Sequence, residues 1–87
     1  MKKYNGWTNR ETWNVMLWLN GIENLYFSMI EVLQDSKTPL SYRELIYALN
    51  LNNETTGDEV AYLSELLNYE ELNESIIDIF NNTHNLS

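Results

Sequence analysis

Residues 5–21 read NGWTNRETWNVMLWLNG and hold all three tryptophans of an 87-residue chain: Trp7, Trp13 and Trp18. Thr8, followed by Glu11 three positions later, has the pattern of a capping box, which predicts that a helix starts near Asn9. The pair Asn20-Gly21 is typical of a helix end. We therefore predict a first helix that concentrates the largest side chains of the protein.

The positions of the tryptophans predict burial on two sides of this helix. Trp13 and Trp18 are five residues apart, about 140° around a helix axis, so they cannot share one patch. A helix that is apolar on two sides is normally buried on two sides. We predict that it lies at the centre of the fold, with Trp7 closing over its start and Leu17 in the core. Two other interpretations stay open: a side left exposed for docking, or a platform that stacks on bases.

Four further helices are predicted from apolar spacing and capping patterns. The apolar positions from Ile22 to Leu33 follow one helical face and end before the single proline. Capping patterns start the other three helices near Ser41, Thr56 and Asn68, each with a glutamate three positions later. Their apolar positions are Tyr42, Leu45, Ile46 and Leu49; Val60, Leu63 and Leu67; and Leu72, Ile76, Ile79 and Phe80.

The predicted fold class is all-α, because no strand-like alternation competes with the helical pattern. We expect a compact single-domain bundle of about five short helices over residues 1–87, with the Trp-rich first helix central. Residues 1–6 and 81–87 are expected to be frayed tails. Ile76 and Phe80 are expected to join the tryptophans in the core.

Composition argues against several classes of function. The chain has no cysteine, so neither a disulfide framework nor a thiolate zinc site is expected. No apolar run approaches the roughly 18 residues of a membrane span, and we expect a soluble, cytoplasmic protein without membrane contact. We expect no enzymatic activity, no metal and no cofactor. The lone histidine, His84, lies in an expected tail, and the three glycines form no phosphate-binding loop.

Charge is divided unevenly along the chain. Residues 1–43 hold all five basic side chains against four acidic ones, whereas residues 44–87 hold nine acidic side chains and neither lysine nor arginine. The net charge is −8. Such asymmetry bears on partners rather than on fold, and it favours a basic partner for the C-terminal half.

The last predicted helix carries a regular acidic face. Glu70, Glu74 and Asp78 are spaced i, i+4, i+8, so their carboxylates rise in steps of about 6 Å, and Glu71 lies in the same arc of about 100°. Like charges at this spacing weaken a helix by roughly 0.2–0.5 kcal/mol per pair. The face is either ordinary solvated surface or a surface kept for a basic partner. On the second interpretation the partner-binding residues are Glu59, Glu65, Glu70, Glu71, Glu74 and Asp78.

The opening of the chain also resembles a known family. Residues 5–18, NGWTNRETWNVMLW, are similar to the opening NGWTNYETWNVALW of small uncharacterised proteins of phages and other mobile elements, and differ from it at Arg10 and Met16. Residues 66–80, LLNYEELNESIIDIF, resemble the ending of many of those proteins, and the resemblance does not extend to residues 22–57. The resemblance implies a mobile-element origin and no particular reaction.

The leading hypothesis is a small acidic inhibitor that binds the basic groove of a host nucleic-acid-handling protein, of the anti-CRISPR or anti-restriction type. Spaced carboxylates can imitate nucleic-acid phosphates, which carry one charge per roughly 1.7 Å of duplex axis. No direct contact with nucleic acid is then expected. The alternative is a structural or self-associating module that dimerises through the second apolar side of the first helix, so monomer or homodimer stays open. A third possibility is weak single-strand binding through Lys2, Lys3, Tyr4 and Trp7.

Overall fold

The computed structural model describes residues 4–84 of the chain. In that range it contains four α-helices: α1, Arg10–Gly21; α2, Glu23–Asp35; α3, Tyr42–Ala48; and α4, Tyr69–His84. The same range holds no strand, only two isolated β-bridges, so the all-α prediction is confirmed. None of these four helices is long and apolar enough to cross a bilayer.

The fourth of the five predicted helices is wrong, because residues 50–68 form turns. The Thr56 hydroxyl accepts hydrogen bonds from the backbone N–H groups of Asp58 and Val60, both at 3.2 Å. Short polar side chains that bond the nearby backbone favour turns over helix. Glu59 has a φ of +67°, a left-handed conformation that a regular helix does not contain. Val60 is nevertheless buried, so the apolar spacing located core residues without identifying the local structure.

The starts of the first and third helices follow the capping predictions in part. Ser41 and Glu44 form the predicted capping box of α3, with both reciprocal hydrogen bonds present. The N-cap of α1 is Asn9 rather than Thr8, since the Asn9 side chain accepts a hydrogen bond from the Thr12 N–H at 2.9 Å. The predicted Thr8–Glu11 capping box of α1 is therefore wrong. Thr8 instead forms hydrogen bonds at the start of α4.

The core lies between α2 and the other three helices. α2 packs against α1, α3 and α4, and its Met29 and Leu33 are fully buried. α1 contributes Val15 and Leu19, while another side of α1 faces the turns of residues 50–68. α1 is therefore covered on two sides, as predicted, by the other helices and by these turns, while α2 contacts all three other helices. The other buried apolar side chains within residues 4–84 are Met16, Tyr42, Leu45, Ile46, Val60, Tyr62, Leu67, Leu72, Ile76 and Phe80.

The three tryptophans border the core and do not fill it. Trp7 and Trp18 are half-buried and pack against the core from its edge. Trp13 is also half-buried, and Tyr4 packs on it with ring centroids 5.0 Å apart. The core placement of Leu17 is wrong, because 45% of its surface is exposed. The fully buried positions of α1 carry smaller and partly polar side chains, which let the turns of the C-terminal half approach closely.

The C-terminal tail is in part a helix. Residues 81–84 continue α4, and His84 stacks on Phe80 with ring centroids 4.1 Å apart. The His84 Nε2 atom lies 2.8 Å from the carbonyl oxygen of Leu33 at the end of α2. Contact with α2 therefore extends α4 by a turn, and the prediction of a frayed tail over these positions is wrong. Residues 85–87 lie outside the described range.

The N-terminal segment begins with a tight turn. Tyr4 and Trp7 exchange two backbone hydrogen bonds, each 2.7 Å long, around Asn5 and Gly6. Both central residues have positive φ, +48° for Asn5 and +91° for Gly6, as a two-residue turn of this kind requires. The expected tail is therefore structured from Tyr4 onward, and residues 1–3 lie outside the described range.

Candidate partner-binding surface

The outer face of α4 presents three carboxylates to solvent. Glu70, Glu74 and Asp78 are all exposed, and each lies four positions after the one before it on a continuous helix. The opposite face of α4 is buried in the core. We call Glu70, Glu74 and Asp78 the acidic row. Their common orientation follows directly from the helical period that the sequence predicts.

No basic group neutralises the acidic row within residues 4–84, where none of its three carboxylates makes an ion pair or a hydrogen bond. Arg43 of α3 instead packs over the ring of Tyr69 at the start of α4, with its guanidinium carbon 4.7 Å from the ring centre. Mutual repulsion in the row is therefore uncompensated in the described part of the fold. A cation from another molecule would remove it.

An exposed apolar side chain lies beside the acidic row. Ile77 is 41% exposed and is placed between Glu74 and Asp78 in the sequence of α4. An apolar contact surrounded by polar groups is typical of protein–protein interfaces. The outer face of α4 therefore has both a charged and an apolar component.

Glu65 and Glu59 lie on the turns before α4 and do not extend the helix. Both are exposed. Burial raises the pKa of the Tyr69 phenol, Arg43 opposes this rise, and the charge of the nearby Glu65 adds a smaller rise. Glu59 belongs to a separate turn that packs on α1. The structure therefore brings Glu65 to the start of α4 and places Glu59 on another segment.

Glu71, although it shares the acidic arc in sequence, is not available to a partner. Only 9% of its surface is exposed, and one carboxylate oxygen accepts a hydrogen bond from the backbone N–H of Thr8 at 3.0 Å. Its own N–H donates to the Asn68 side chain, which caps α4 as predicted. The assignment of Glu71 to the partner-binding surface is therefore wrong, because its carboxylate is used inside the fold.

Glu71 is held where the N-termini of α1 and α4 meet. The N–H of Asn68 donates to the Thr12 hydroxyl at 2.8 Å, and the Asn68 side chain donates to the Thr8 hydroxyl at 3.0 Å. The Asn9 amide donates in turn to the carbonyl of Leu66 at 2.7 Å. Helix N-termini carry partial positive charge, so two of them together stabilise a carboxylate between them. This junction links the start of the chain to the start of α4.

We expect Glu71→Ala to lower the free energy of unfolding by about 1–3 kcal/mol, because it removes the acceptor of the Thr8 N–H from a site with two helix N-termini. Its neighbour provides a matched control. Glu70→Ala removes the same group from an exposed position and should change stability by no more than about 0.5 kcal/mol. Urea unfolding of the two variants measures the difference, and equal effects would contradict this assignment of roles.

A polar cluster, formed by the buried Asn14 and Thr56, the half-buried Trp18 and the exposed Asp58, attaches the turns of the C-terminal half to α1. Asn14 is fully buried; its amide nitrogen donates to Asp58 at 2.8 Å, and its carbonyl oxygen accepts from the Thr56 hydroxyl at 2.6 Å. The indole N–H of Trp18 donates to the same Asp58 oxygen at 3.0 Å. Hydrogen bonds from Asn14 and then Trp18 hold the pKa of the Asp58 carboxyl below its ordinary value.

This cluster also explains the position of Trp18. Its ring lies directly against Gly57, where an added Cβ would overlap two ring carbons. Asp58, one of the nine acidic side chains of residues 44–87, is bound to α1. The sequence gives no local signal for the cluster, because its members on α1 and on the turn are about forty positions apart.

Two grooves open on the described surface outside the acidic row. One, of about 300 Å³, lies between α2 and α4 and is lined by apolar side chains that include Tyr26, Ile30 and Ile79. The other, of about 270 Å³, lies beside α1 and includes Trp13 and Leu17. The second groove leaves apolar side chains of α1 uncovered within residues 4–84, and Asn5 and Trp7 of the N-terminal turn also line it.

Comparisons with known proteins identify the family of the chain but assign it no function. No curated protein and no solved structure matches the chain. A family model matches residues 1–84, which is nearly the whole sequence and includes the acidic row, both helix N-termini and the polar cluster. The chain therefore belongs to DUF7249, a family of unknown function.

Proposed function

We propose that this protein is a small acidic inhibitor that binds the nucleic-acid groove of a host defence protein. The observation that carries the proposal is the acidic row of α4, which is exposed, regularly spaced and unpaired within residues 4–84. The net charge of −8 adds long-range attraction to any basic surface. The resemblance of residues 5–18 to proteins of phages and mobile elements supports an origin in such an element, and an anti-CRISPR or anti-restriction role fits that origin.

In the proposed mechanism, the carboxylates take the places of phosphates. Steps of about 6 Å along α4 are close to two phosphate steps of about 3.4 Å along one DNA strand. Lysine and arginine side chains of the target would bind Glu70, Glu74 and Asp78, and Ile77 would supply an apolar contact beside them. Nucleic acid could not occupy the same groove while the inhibitor is bound. Glu65 lies at the N-terminal side of this surface, and Glu71 has no role in it.

The proposal predicts that neutralising the acidic row removes binding without harming the fold. The variant Glu70→Gln, Glu74→Gln, Asp78→Asn should keep its stability or gain up to about 1 kcal/mol, since two repulsive pairs disappear. Its affinity for the target should fall by roughly tenfold or more, because charge-assisted contacts are lost. Capture from bacterial lysate at low and at high salt, with identification of the retained proteins, measures the change.

A second triple variant distinguishes the effect of the acidic row on binding from the effect of net charge. Glu23, Glu31 and Asp35 are exposed on α2, so Glu23→Gln, Glu31→Gln, Asp35→Asn removes the same three charges elsewhere. This control should retain the same target as the natural protein. Equal capture by the α4 variant, or retained proteins that do not bind nucleic acid, would contradict the proposal.

Self-association is the second candidate function, and the exposed Leu17 with the groove beside Trp13 favours it. A symmetric dimer through this surface would bury apolar area that an isolated chain leaves in water. Sedimentation at micromolar concentration distinguishes the two candidates. A dimer that dissociates on the substitution Leu17→Glu would support the self-associating module. A monomer would count against that module and favour the inhibitor.

A further inference from the structure

The chain contains the dipeptide Asn-Gly twice, at Asn5-Gly6 and at Asn20-Gly21. The first copy lies in a turn and the second at the end of α1. Asn-Gly is the sequence in which an asparagine side chain is most open to attack by the following backbone nitrogen, because glycine has no Cβ to hinder the approach. The reaction requires a backbone that can bring that nitrogen to the side-chain carbonyl carbon. The conformation of each copy therefore decides whether it reacts.

Asn5-Gly6 lies in a tight but exposed turn, and its reacting groups are free of hydrogen bonds within residues 4–84. Asn5 is exposed, and within residues 4–84 neither its side chain nor the Gly6 N–H makes a hydrogen bond. Beyond its two chain neighbours, no heavy atom lies within 4 Å of the place where a Gly6 Cβ would stand, so the glycine is not covered by another segment of residues 4–84. The two hydrogen bonds between Tyr4 and Trp7 flank the turn without involving the reacting atoms.

Asn20-Gly21 is in a closed conformation. Both residues belong to α1, in which the Gly21 N–H takes part in the helical hydrogen-bond ladder. Helical geometry also holds that nitrogen away from the preceding side chain. The N–H of Ile22 donates to Trp18 at 3.2 Å, so the ladder continues beyond Gly21.

We propose that Asn5 is a self-modification site of the folded protein and that Asn20 is protected from the same reaction. Hydroxide removes the Gly6 N–H proton, and the nitrogen attacks the Asn5 side-chain carbonyl carbon to close a succinimide. The bond from that carbon to the side-chain amide nitrogen breaks, and the nitrogen takes a proton from water and leaves as ammonia. Water then adds to either carbonyl of the ring and opens it. The product is aspartate or isoaspartate, in which the main chain runs through the former side chain.

The modification alters the N-terminal turn and its groove. Isoaspartate adds one methylene to the backbone, so the hydrogen bonds that join Tyr4 to Trp7 cannot keep their spacing. The ring of Tyr4 should then leave Trp13, which borders the groove beside α1 with Asn5 itself. Both products add a negative charge to a chain that already carries −8.

Incubating the folded protein at 37 °C in mildly alkaline buffer tests the proposal, with peptide mass spectrometry of both Asn-Gly sites over time. We expect conversion at Asn5 to a mixture of aspartate and isoaspartate, with Asn20 unchanged. The same incubation in concentrated urea should convert both sites, because α1 no longer protects Asn20. An intact Asn5 in folded protein, after the unfolded chain has reacted, would overturn the proposal. Conversion of Asn20 in folded protein as fast as that of Asn5 would do the same.

Discussion

Replacing Asn14 with aspartate is expected to lower the free energy of unfolding by about 3–5 kcal/mol at neutral pH, the scale of an unpaired buried charge. The new carboxylate would be fully buried and would face the Asp58 oxygen that the Asn14 amide now contacts at 2.8 Å. Two carboxylates at that distance cannot both stay ionised, so the pKa of the new group must rise. This loss is a large part of the 5–15 kcal/mol of a typical domain.

The pH dependence of the Asn14→Asp variant follows from the sign of that shift. A carboxyl whose pKa is higher in the folded state binds its proton more tightly there, so its penalty grows as pH rises and shrinks as pH falls. We expect the deficit relative to the natural protein to be smaller at about pH 4.5 than at pH 7, measured by urea unfolding. A deficit that does not change with pH would contradict a charge–charge origin.

A reciprocal change tests the geometry of the same pair. In the double variant Asn14→Asp, Asp58→Asn the amide and the carboxylate change places, and an amide–carboxylate hydrogen bond can form again. We expect the double variant to be more stable than Asn14→Asp alone, although a carboxylate in the buried position still carries a desolvation cost. If the effects of the two single substitutions on the free energy of unfolding simply add in the double variant, the two side chains are not coupled.

Gly57→Ala is expected to cost about 1–3 kcal/mol, as is usual when an atom is forced into a packed site. The added Cβ would overlap Cη2 and Cζ2 of Trp18, and the indole cannot move away without breaking its hydrogen bond to Asp58. Thermal unfolding should show a clear decrease in Tm.

Gly21→Ala is the matched control for this substitution. Gly21 has no heavy atom within 4 Å of an added Cβ and lies in the last turn of α1, so alanine should be neutral or should stabilise the helix by up to about 1 kcal/mol. If Gly57→Ala lowered stability no more than Gly21→Ala does, the result would contradict the close packing of Trp18 on the turn.

Local patterns predict the local parts of this fold. The Ser41–Glu44 box and the Asn68 cap depend on neighbours three positions away, and both are present. The direction of the acidic row depends only on the period of one helix. Thr56 also has a capping pattern, but its hydroxyl bonds Asn14 and the nearby backbone, so the predicted helix becomes a turn.

Contacts between distant segments could not be predicted. Glu70 and Glu71 are neighbours with the same side chain, yet one is exposed and the other accepts the Thr8 N–H, sixty-three positions away. The capping pattern Asn68–Glu71 singles out Glu71, but no local pattern shows that its carboxylate accepts the Thr8 N–H, because that contact depends on where α1 begins in space. The tryptophans are misplaced for the same reason. Trp18 was expected to be core, but Asp58 holds its ring at the edge.

The N-terminal motif can now be related to structure. Within residues 5–18, Asn9 caps α1, Thr8 and Thr12 bond the start of α4, and Asn14 and Trp18 bind Asp58. Together these side chains form the hydrogen bonds that hold the C-terminal half, with its acidic row, against the first helix. Their roles in this chain are therefore architectural, and the surface proposed for binding lies on α4.

Competition for a nucleic-acid site tests the central claim most directly. A nucleic-acid-binding protein retained in the capture experiment is loaded with a fluorescently labelled duplex, and the natural protein, the α4 variant and the α2 control are titrated in by fluorescence anisotropy. The natural protein and the α2 control should displace the duplex, with weaker displacement at high salt, and the α4 variant should fail to do so. Displacement by the α4 variant equal to that by the natural protein would show that the acidic row does not bind the groove.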